Sequence, residues 1–303
     1  MIGAFGTPYP APALSMPSDF RSVLEASLGD SYVIERELGA GGMARVFVAT
    51  ERALDRRVVT KVLSPELAAE LSTKRFEREI RLAASLQQAN IVPVLSTGET
   101  DGLPLYTMPF VEGLSLRERL VREGRPSIVD TIGILRDVSR ALSYAHERGV
   151  VHRDIKPENV LLSGHAAVVT DFGIAKAIAN ARLGAGTEQP EASRPRAQST
   201  ITQIGVSVGT PAYMAPEQIS GDPNIDHRAD IYAFGCLAYE LIAGAPPFRS
   251  ASVHGLFAAH IGETPAPIVD SNPDVPASLA ALVMRCLEKD PARRPATARD
   301  LLR

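Results

Sequence analysis

Leu38-Gly39-Ala40-Gly41-Gly42-Met43-Ala44-Arg45-Val46 places three glycines between two runs of strand-forming residues. Glycine there would let the backbone approach a bound phosphate closely, although a plain hairpin uses glycine in the same way. No helix follows the turn, which excludes the dinucleotide-binding arrangement. No Lys-Ser/Thr closes it, which excludes a Walker A loop. Lys61 follows within an apolar strand, where a Lys either points to solvent or turns inward to an anion and needs a carboxylate to hold it. Glu79, on the next helical segment, can supply that carboxylate. Further on, His152-Arg153-Asp154-Ile155-Lys156-Pro157-Glu158-Asn159 separates Val150-Val151 from the apolar run Val160-Leu161-Leu162. A solvated turn tolerates such charges but does not need an acid, a Lys two positions later and an Asn three after that.

The elements around these residues divide the chain. Residues 1–30 read as a Pro-, Ala- and Gly-rich flexible tail followed by a short helix over "DFRSVLEASL". From Tyr32 to Leu63, "YVIERELG", "ARVFVAT" and "RVVTKVL" are β-branched runs separated by turn residues, the pattern of an antiparallel meander. Residues 64–87 place Phe76, Ile80, Ala83 and Ala84 on one helical face. Strand signals return at "IVPVLSTG" and "LPLYTMPFV". Beyond Gly113 the periodicity is helical, at 115–123, 127–148, 228–244, 251–261 and 276–288. A β-rich first third and a helix-rich remainder predict an α+β fold with two segregated lobes. Residues 178–207 lack periodicity and read as a long mobile loop inside the second lobe.

Composition narrows the class. With 303 residues and 45% hydrophobic content the chain can bury a sizeable core. Its formal charge of −3 gives no basic footprint, so nucleic acid is not an expected partner. The most apolar stretch, 231–239, stops at Glu240 and is too short to span a bilayer. Cys236 and Cys286, the only cysteines, lack metal-ligand spacing and read as buried thiols of a reducing compartment.

In order along the chain stand "GAGGMARV", Lys61, Glu79, "HRDIKPEN", "DFG" (171–173), "GTPAYMAPE" (209–217), Asp230 and Arg294. Over about residues 30–303 the chain therefore resembles the bacterial eukaryotic-like (Hanks-type) protein serine/threonine kinases. The resemblance implies a bilobal fold: a small antiparallel β-sheet lobe with one regulatory helix, and a larger, mainly helical lobe. It implies boundaries at 31–108 for the small lobe, 109–113 for the hinge, 114–303 for the large lobe and 171–217 for the activation segment. It also implies transfer of the ATP γ-phosphate to Ser/Thr hydroxyls of protein substrates, with Mg²⁺ or Mn²⁺. In that scheme Lys61 holds the α- and β-phosphates and Glu79 orients it. Asp171 and Asn159 bind metal, Asp154 receives or orients the hydroxyl proton, and Lys156 steadies the transferring group. Leu38, Gly39, Ala40, Gly41, Gly42, Val46, Val59, Met108, Pro109, Val111 and Leu161 surround the nucleotide. The Pro109 carbonyl and the Val111 amide meet the adenine, so the missing N–H of Pro109 does no harm.

His152 is expected as a packed structural residue, Glu217 and Arg294 as a buried ion pair, and Asp230 as a cap on the catalytic loop. Ala44 replaces the third glycine, Val59 the usual Ala, and "QQAN" (87–90) the usual His-Pro-Asn; no charged catalytic group is lost. Lys156 and Thr210 favour Ser/Thr over Tyr substrates, and the full charged set argues against a pseudokinase scaffold. Arg75, Arg153 and Lys176 are expected to gather under the activation segment and receive a phosphate on Thr202 or, next, Thr200. The resemblance is compatible with a homodimer. It is also compatible with a cytoplasmic location, either as a free kinase or as the cytoplasmic domain of a longer membrane-anchored protein.

Overall fold

The computed structural model describes residues 20–40, 44–70, 73–164, 166–172 and 211–303. Gly41, Gly42 and the whole stretch from Gly173 to Thr210, with Lys176, Thr200 and Thr202, lie outside them. So do the side chains of Ala40 and Arg75.

The first lobe is an antiparallel sheet. Strands β1 (Tyr32–Ala40), β2 (Ala44–Glu51) and β3 (Arg56–Leu63) form the expected meander, and β4 (Ser96–Thr100) and β5 (Leu103–Pro109) complete the order β1-β2-β3-β5-β4. Alternation along the strands gives each face its own set of residues. Phe47, Val58 and Val62 look outward, where helix α1 (Phe20–Leu28) covers them with Phe20 and Leu24. Val46, Val59, Tyr106 and Met108 pack with Phe76 and Ile80 of helix α3 (Thr73–Ala84) on the other side.

Two expectations shift. The helix foreseen over 64–87 is two helices, α2 (Pro65–Glu70) and α3. The strand foreseen at "IVPVLSTG" begins only at Ser96, because Pro93 has no N–H to give a ladder. The apolar residues before it do a different job: Val92 N donates to Val169 O at 2.9 Å and Ile91 bridges Val169, tying the small lobe to the large one.

In the second lobe, β6 (Leu114–Ser115) leads into helix α4 (Leu116–Glu123), started by a Ser115/Glu118 capping box. Helix α5 (Ile128–His146) follows, capped by Ser127, and then the hairpin of β7 (Val160–Ser163) and β8 (Ala166–Val169). A short helix α6 (Pro216–Ile219) precedes α7 (Arg228–Ala243), α8 (Val253–Gly262), a single turn α9 (Ile268–Ser271) and α10 (Ala277–Cys286). Every residue of α7 from Ala229 to Ile242 is buried, polar Asp230 and Glu240 included, so α7 is the axis of the lobe. Gly235 lets α10 come close: a Cβ there would fall 2.7 Å from the Cys286 Cβ. Both cysteines are buried free thiols. Arg294, fully enclosed, forks onto Glu217 with contacts of 2.6 and 2.8 Å, which is the expected buried pair.

A second buried polar group sets how this lobe responds to acid. His260 on α8 is fully buried. Lys289 Nζ donates to its carbonyl at 2.7 Å and to the Tyr232 hydroxyl oxygen at 3.4 Å, and that hydroxyl is hydrogen-bonded to His260 Nδ1 at 2.9 Å. Burial, reinforced by the Lys289 charge, pushes the imidazole down to about 4. The unfolded chain then binds a proton between about pH 6.5 and 4 that the folded chain refuses, so stability falls as pH falls through that window. The loss should reach roughly 3 kcal/mol by pH 4. Carboxylates held below their usual values, such as Asp171 and Asp230, add their losses only beneath it. Urea denaturation at pH 7.0 and 5.0 should show the loss in wild type and a much flatter response in His260→Gln. Equal slopes for the two proteins would refute the assignment.

Candidate active site

The charged loop after α5 is built around a buried carboxylate. Asp230, at the start of α7, accepts from the main-chain amides of His152 (2.8 Å) and Arg153 (2.7 Å) and from His146 Nε2 (2.8 Å). Burial alone would raise its pKa, but the His146 bond and the nearby imidazoles hold it below the usual carboxylate range. This clamp sustains a left-handed Arg153 (φ 67°), a conformation that costs a non-glycine residue about 1 kcal/mol or more. His152 is fully buried. Its Nε2 donates to Thr170 O (2.9 Å), its Nδ1 accepts from Asp154 N (3.2 Å), and its ring meets Phe172 edge-on. That fixes the Nε2–H tautomer and leaves His152 a packed residue.

Asp154, Lys156 and Asn159 do converge. Lys156 Nζ lies 2.7 Å from Asp154 Oδ2, and Asn159 Nδ2 donates to Asp154 O (2.8 Å) and Oδ2 (3.0 Å). Both side-chain contacts fall on one oxygen. Asn159 O in turn accepts from Thr170 N at 3.0 Å, next to the Val160–Val169 rung, so the β7–β8 hairpin sets Asn159 beside the start of the next segment, Asp171.

Across the cleft, Lys61 and Tyr106 are cross-strand partners on β3 and β5. Both reach Asp171, Lys61 Nζ to Oδ2 at 2.5 Å and the Tyr106 hydroxyl to Oδ1 at 3.0 Å. Lys61 thus turns inward, and the carboxylate holding it here is that of Asp171. Burial would raise the Asp171 pKa, but the Lys61 charge and both hydrogen bonds keep it below the usual range, so it is ionised. Asp171 also has a left-handed backbone (φ 67°). Glu79 stands half-buried on α3 and its charge acts on Arg153. Arg153 is a half-buried cation whose pKa burial lowers. Its Nη2 donates to Ile225 O (3.3 Å), and its Nε has no hydrogen-bond partner among the described residues.

The apolar candidates gather in one place: Val59 and Met108 belong to the buried cluster on the cleft side of the sheet, with Val46, Val111 and Leu161 packed on it. Leu38 stands exposed at the rim on β1, and among the described residues nothing beyond its own chain neighbours lies within 4 Å of where a Gly39 Cβ would be. Pro109 ends β5 opposite Val58. Gly113 closes the connection; a Cβ there would come 1.9 Å from Leu162 O.

Two features escaped the sequence. Tyr106 was unreadable as a partner of Asp171 because the β3–β5 register, not its neighbours, puts it beside Lys61. Arg117 on α4 bonds Glu158 of the charged loop (2.8 Å), Glu240 of α7 (2.7 Å) and the Tyr213 hydroxyl, which also bonds Glu240. This network joins four separate segments, which no local pattern reveals.

The model of the protein kinase domain family matches residues 32–303. The chain belongs to the protein kinase family. Membership in that family implies use of ATP with a divalent metal. Among curated relatives, this kinase is 36% identical over 280 residues to the serine/threonine-protein kinase PknB of Mycobacterium tuberculosis (strain H37Rv) and to that of Mycobacterium leprae. It is 35% identical over 284 residues to the probable serine/threonine-protein kinase PknB of Corynebacterium glutamicum. These alignments take in 90% of this chain but only 41–42% of each relative, so the kinase spans less than half the length of the relatives it matches. No helix among the described residues is long and apolar enough to cross a membrane.

Proposed function

We propose that this kinase transfers the ATP γ-phosphate to Ser and Thr hydroxyls of proteins. The observation that carries the reading is a pair of charged clusters, Asp154–Lys156–Asn159 and Lys61–Asp171, linked where Thr170 N, next to Asp171, donates to Asn159 O. The substrate hydroxyl oxygen forms a bond to the γ-phosphorus as the bond to the β–γ bridging oxygen breaks, releasing ADP. The hydroxyl proton passes to Asp154, whose Oδ1 makes no hydrogen bond among the described residues. Lys156 steadies the transferring group. Lys61 leaves Asp171 for the α- and β-phosphates, and Glu79 orients it. The apolar cluster of Val46, Val59, Met108, Val111 and Leu161, with Leu38, encloses the adenine between the Pro109 carbonyl and the Val111 amide. Gly39, Ala40, Gly41 and Gly42 cover the phosphates.

The donor set suits Mg²⁺ or Mn²⁺. Asp171 is ionised, Asn159 is held beside it, and no group of three or more His, Cys, Asp or Glu among the described residues could hold a metal ion by itself. That is the pattern of a hard cation held by few protein oxygens and completed by substrate phosphates. Asp171 and Asn159 would hold the metal, which supplies charge neutralisation at the β- and γ-phosphates.

The same reading places regulation on the activation segment. A phosphate of about −2 charge on Thr202, or next on Thr200, would satisfy Arg153, whose Nε has no partner among the described residues, with Arg75 and Lys176. Phosphorylation between two copies in a transient homodimer is the simplest route. Incubation with radiolabelled Mg·ATP and a Ser/Thr protein acceptor, followed by phosphopeptide mass spectrometry, tests both parts. Label is expected on acceptor Ser and Thr and within residues 199–207, and about 10³-fold more slowly with Asp154→Asn. An enzyme that labels its acceptor but carries no phosphate in 199–207 would remove the regulatory part; no labelling at all would remove the whole reading.

A further inference from the structure

Helix α1 lies ahead of residues 32–303, the part matched by the family, yet it is built into the small lobe. Phe20 and Leu24 are almost wholly buried among Ile34, Phe47, Val58, Val62 and Leu105. Arg21 Nη2 donates to Ile34 O at 2.9 Å and ties the helix to β1. The contact that matters is made by Arg45. Its guanidinium carbon lies 5.1 Å from the Phe20 ring centre and 5.2 Å from that of Phe47, so the cation touches one ring from each element. The same guanidinium forks onto Glu37, Nε to Oε1 at 2.9 Å and Nη2 to Oε2 at 2.6 Å. Glu37 stands two residues before Gly39 on β1, and Arg45 one residue after Ala44 on β2. The ion pair therefore spans the two limbs of the hairpin that carries the glycine turn, and the ring of Phe20 backs it from outside.

We infer that α1 is a positioning element for the glycine turn: Phe20, stacked on the Arg45–Glu37 pair, fixes the splay of β1 and β2 and hence how closely the turn approaches the phosphates of ATP. This rests on the reading that the turn covers ATP. None of Phe20, Arg45 and Glu37 touches the reacting atoms. They act by pre-organising a hairpin that would otherwise be ordered at the expense of nucleotide affinity.

The test uses the full chain. Phe20→Leu keeps an apolar side chain in the same pocket and removes the ring; Arg45→Met keeps the stem and removes the fork. Each should raise the KM for ATP roughly three- to tenfold, with kcat and the KM for the protein acceptor within about twofold of wild type. ATP affinity by calorimetry should weaken in parallel. Phe20→Tyr should restore the wild-type KM, and Phe20→Leu combined with Arg45→Met should cost less than the product of the two single effects, since both break one contact. An unchanged KM for ATP in both single variants overturns the inference, as does a loss of kcat and of melting temperature that Phe20→Tyr repairs without any change in KM. Failure of the underlying reading looks different: wild type itself would bind no ATP, or Lys61→Met would bind and use it like wild type.

Discussion

Asp154→Asn is expected to lower the rate of phosphotransfer by about 10³-fold, within the range a positioned general base contributes, while ATP affinity stays within about twofold. The substitution is close to isosteric. Asp154 Oδ2 accepts from both Lys156 and Asn159, and an amide oxygen in that place can accept both as well, so the cluster keeps its shape. What is lost is the charge on Lys156's partner and the ability of Oδ1 to take a proton. On the proposed reading Asp154 meets the hydroxyl and not the nucleotide, so chemistry and binding should separate. Single-turnover transfer at saturating ATP, paired with a nucleotide titration, measures the two apart. Transfer at close to the wild-type rate would remove Asp154 from the role given to it; equal losses in rate and ATP affinity would make it a structural residue.

The sequence disclosed this site unevenly, for physical reasons. The charged loop was legible because Asp154, Lys156 and Asn159 lie within six residues and the apolar run after them fixes their direction. The long α7 was legible as a helix, and its burial on every side follows from its lack of a polar face. Asp230 and Arg294 could be named as anchors, and the structure puts one under the loop amides and the other against Glu217. Contacts set by strand register or by the meeting of remote segments were not legible. Tyr106 reaches Asp171 only because β3 and β5 align Lys61 with it, and Arg117 meets Glu240 across 123 positions of chain. Pro93 moved a strand by several residues because a missing N–H outweighs a β-branched run.

Asp171→Asn should abolish the advantage that a divalent metal gives to ATP binding and reduce transfer by about 10³-fold or more, the scale of a lost charge-stabilising group. Asparagine is the informative replacement because the backbone at this position is left-handed (φ 67°), a conformation Asn adopts more readily than most residues. Its amide oxygen can still accept from the Tyr106 hydroxyl, which holds Oδ1 at 3.0 Å, so the side chain has reason to stay in place. Two electrostatic changes follow. Lys61 loses the anion that binds it at 2.5 Å, which frees it for phosphate. Metal-free ATP loses the repulsion of a buried carboxylate held ionised by that lysine. Free ATP should therefore bind the variant as well as or better than wild type, whereas Mg·ATP should bind it about tenfold less well, as a metal site loses its one charged ligand. Calorimetric titration of ATP with EDTA and again with excess Mg²⁺ reads both arms. A variant that keeps the wild-type preference for Mg·ATP would place the metal on other residues.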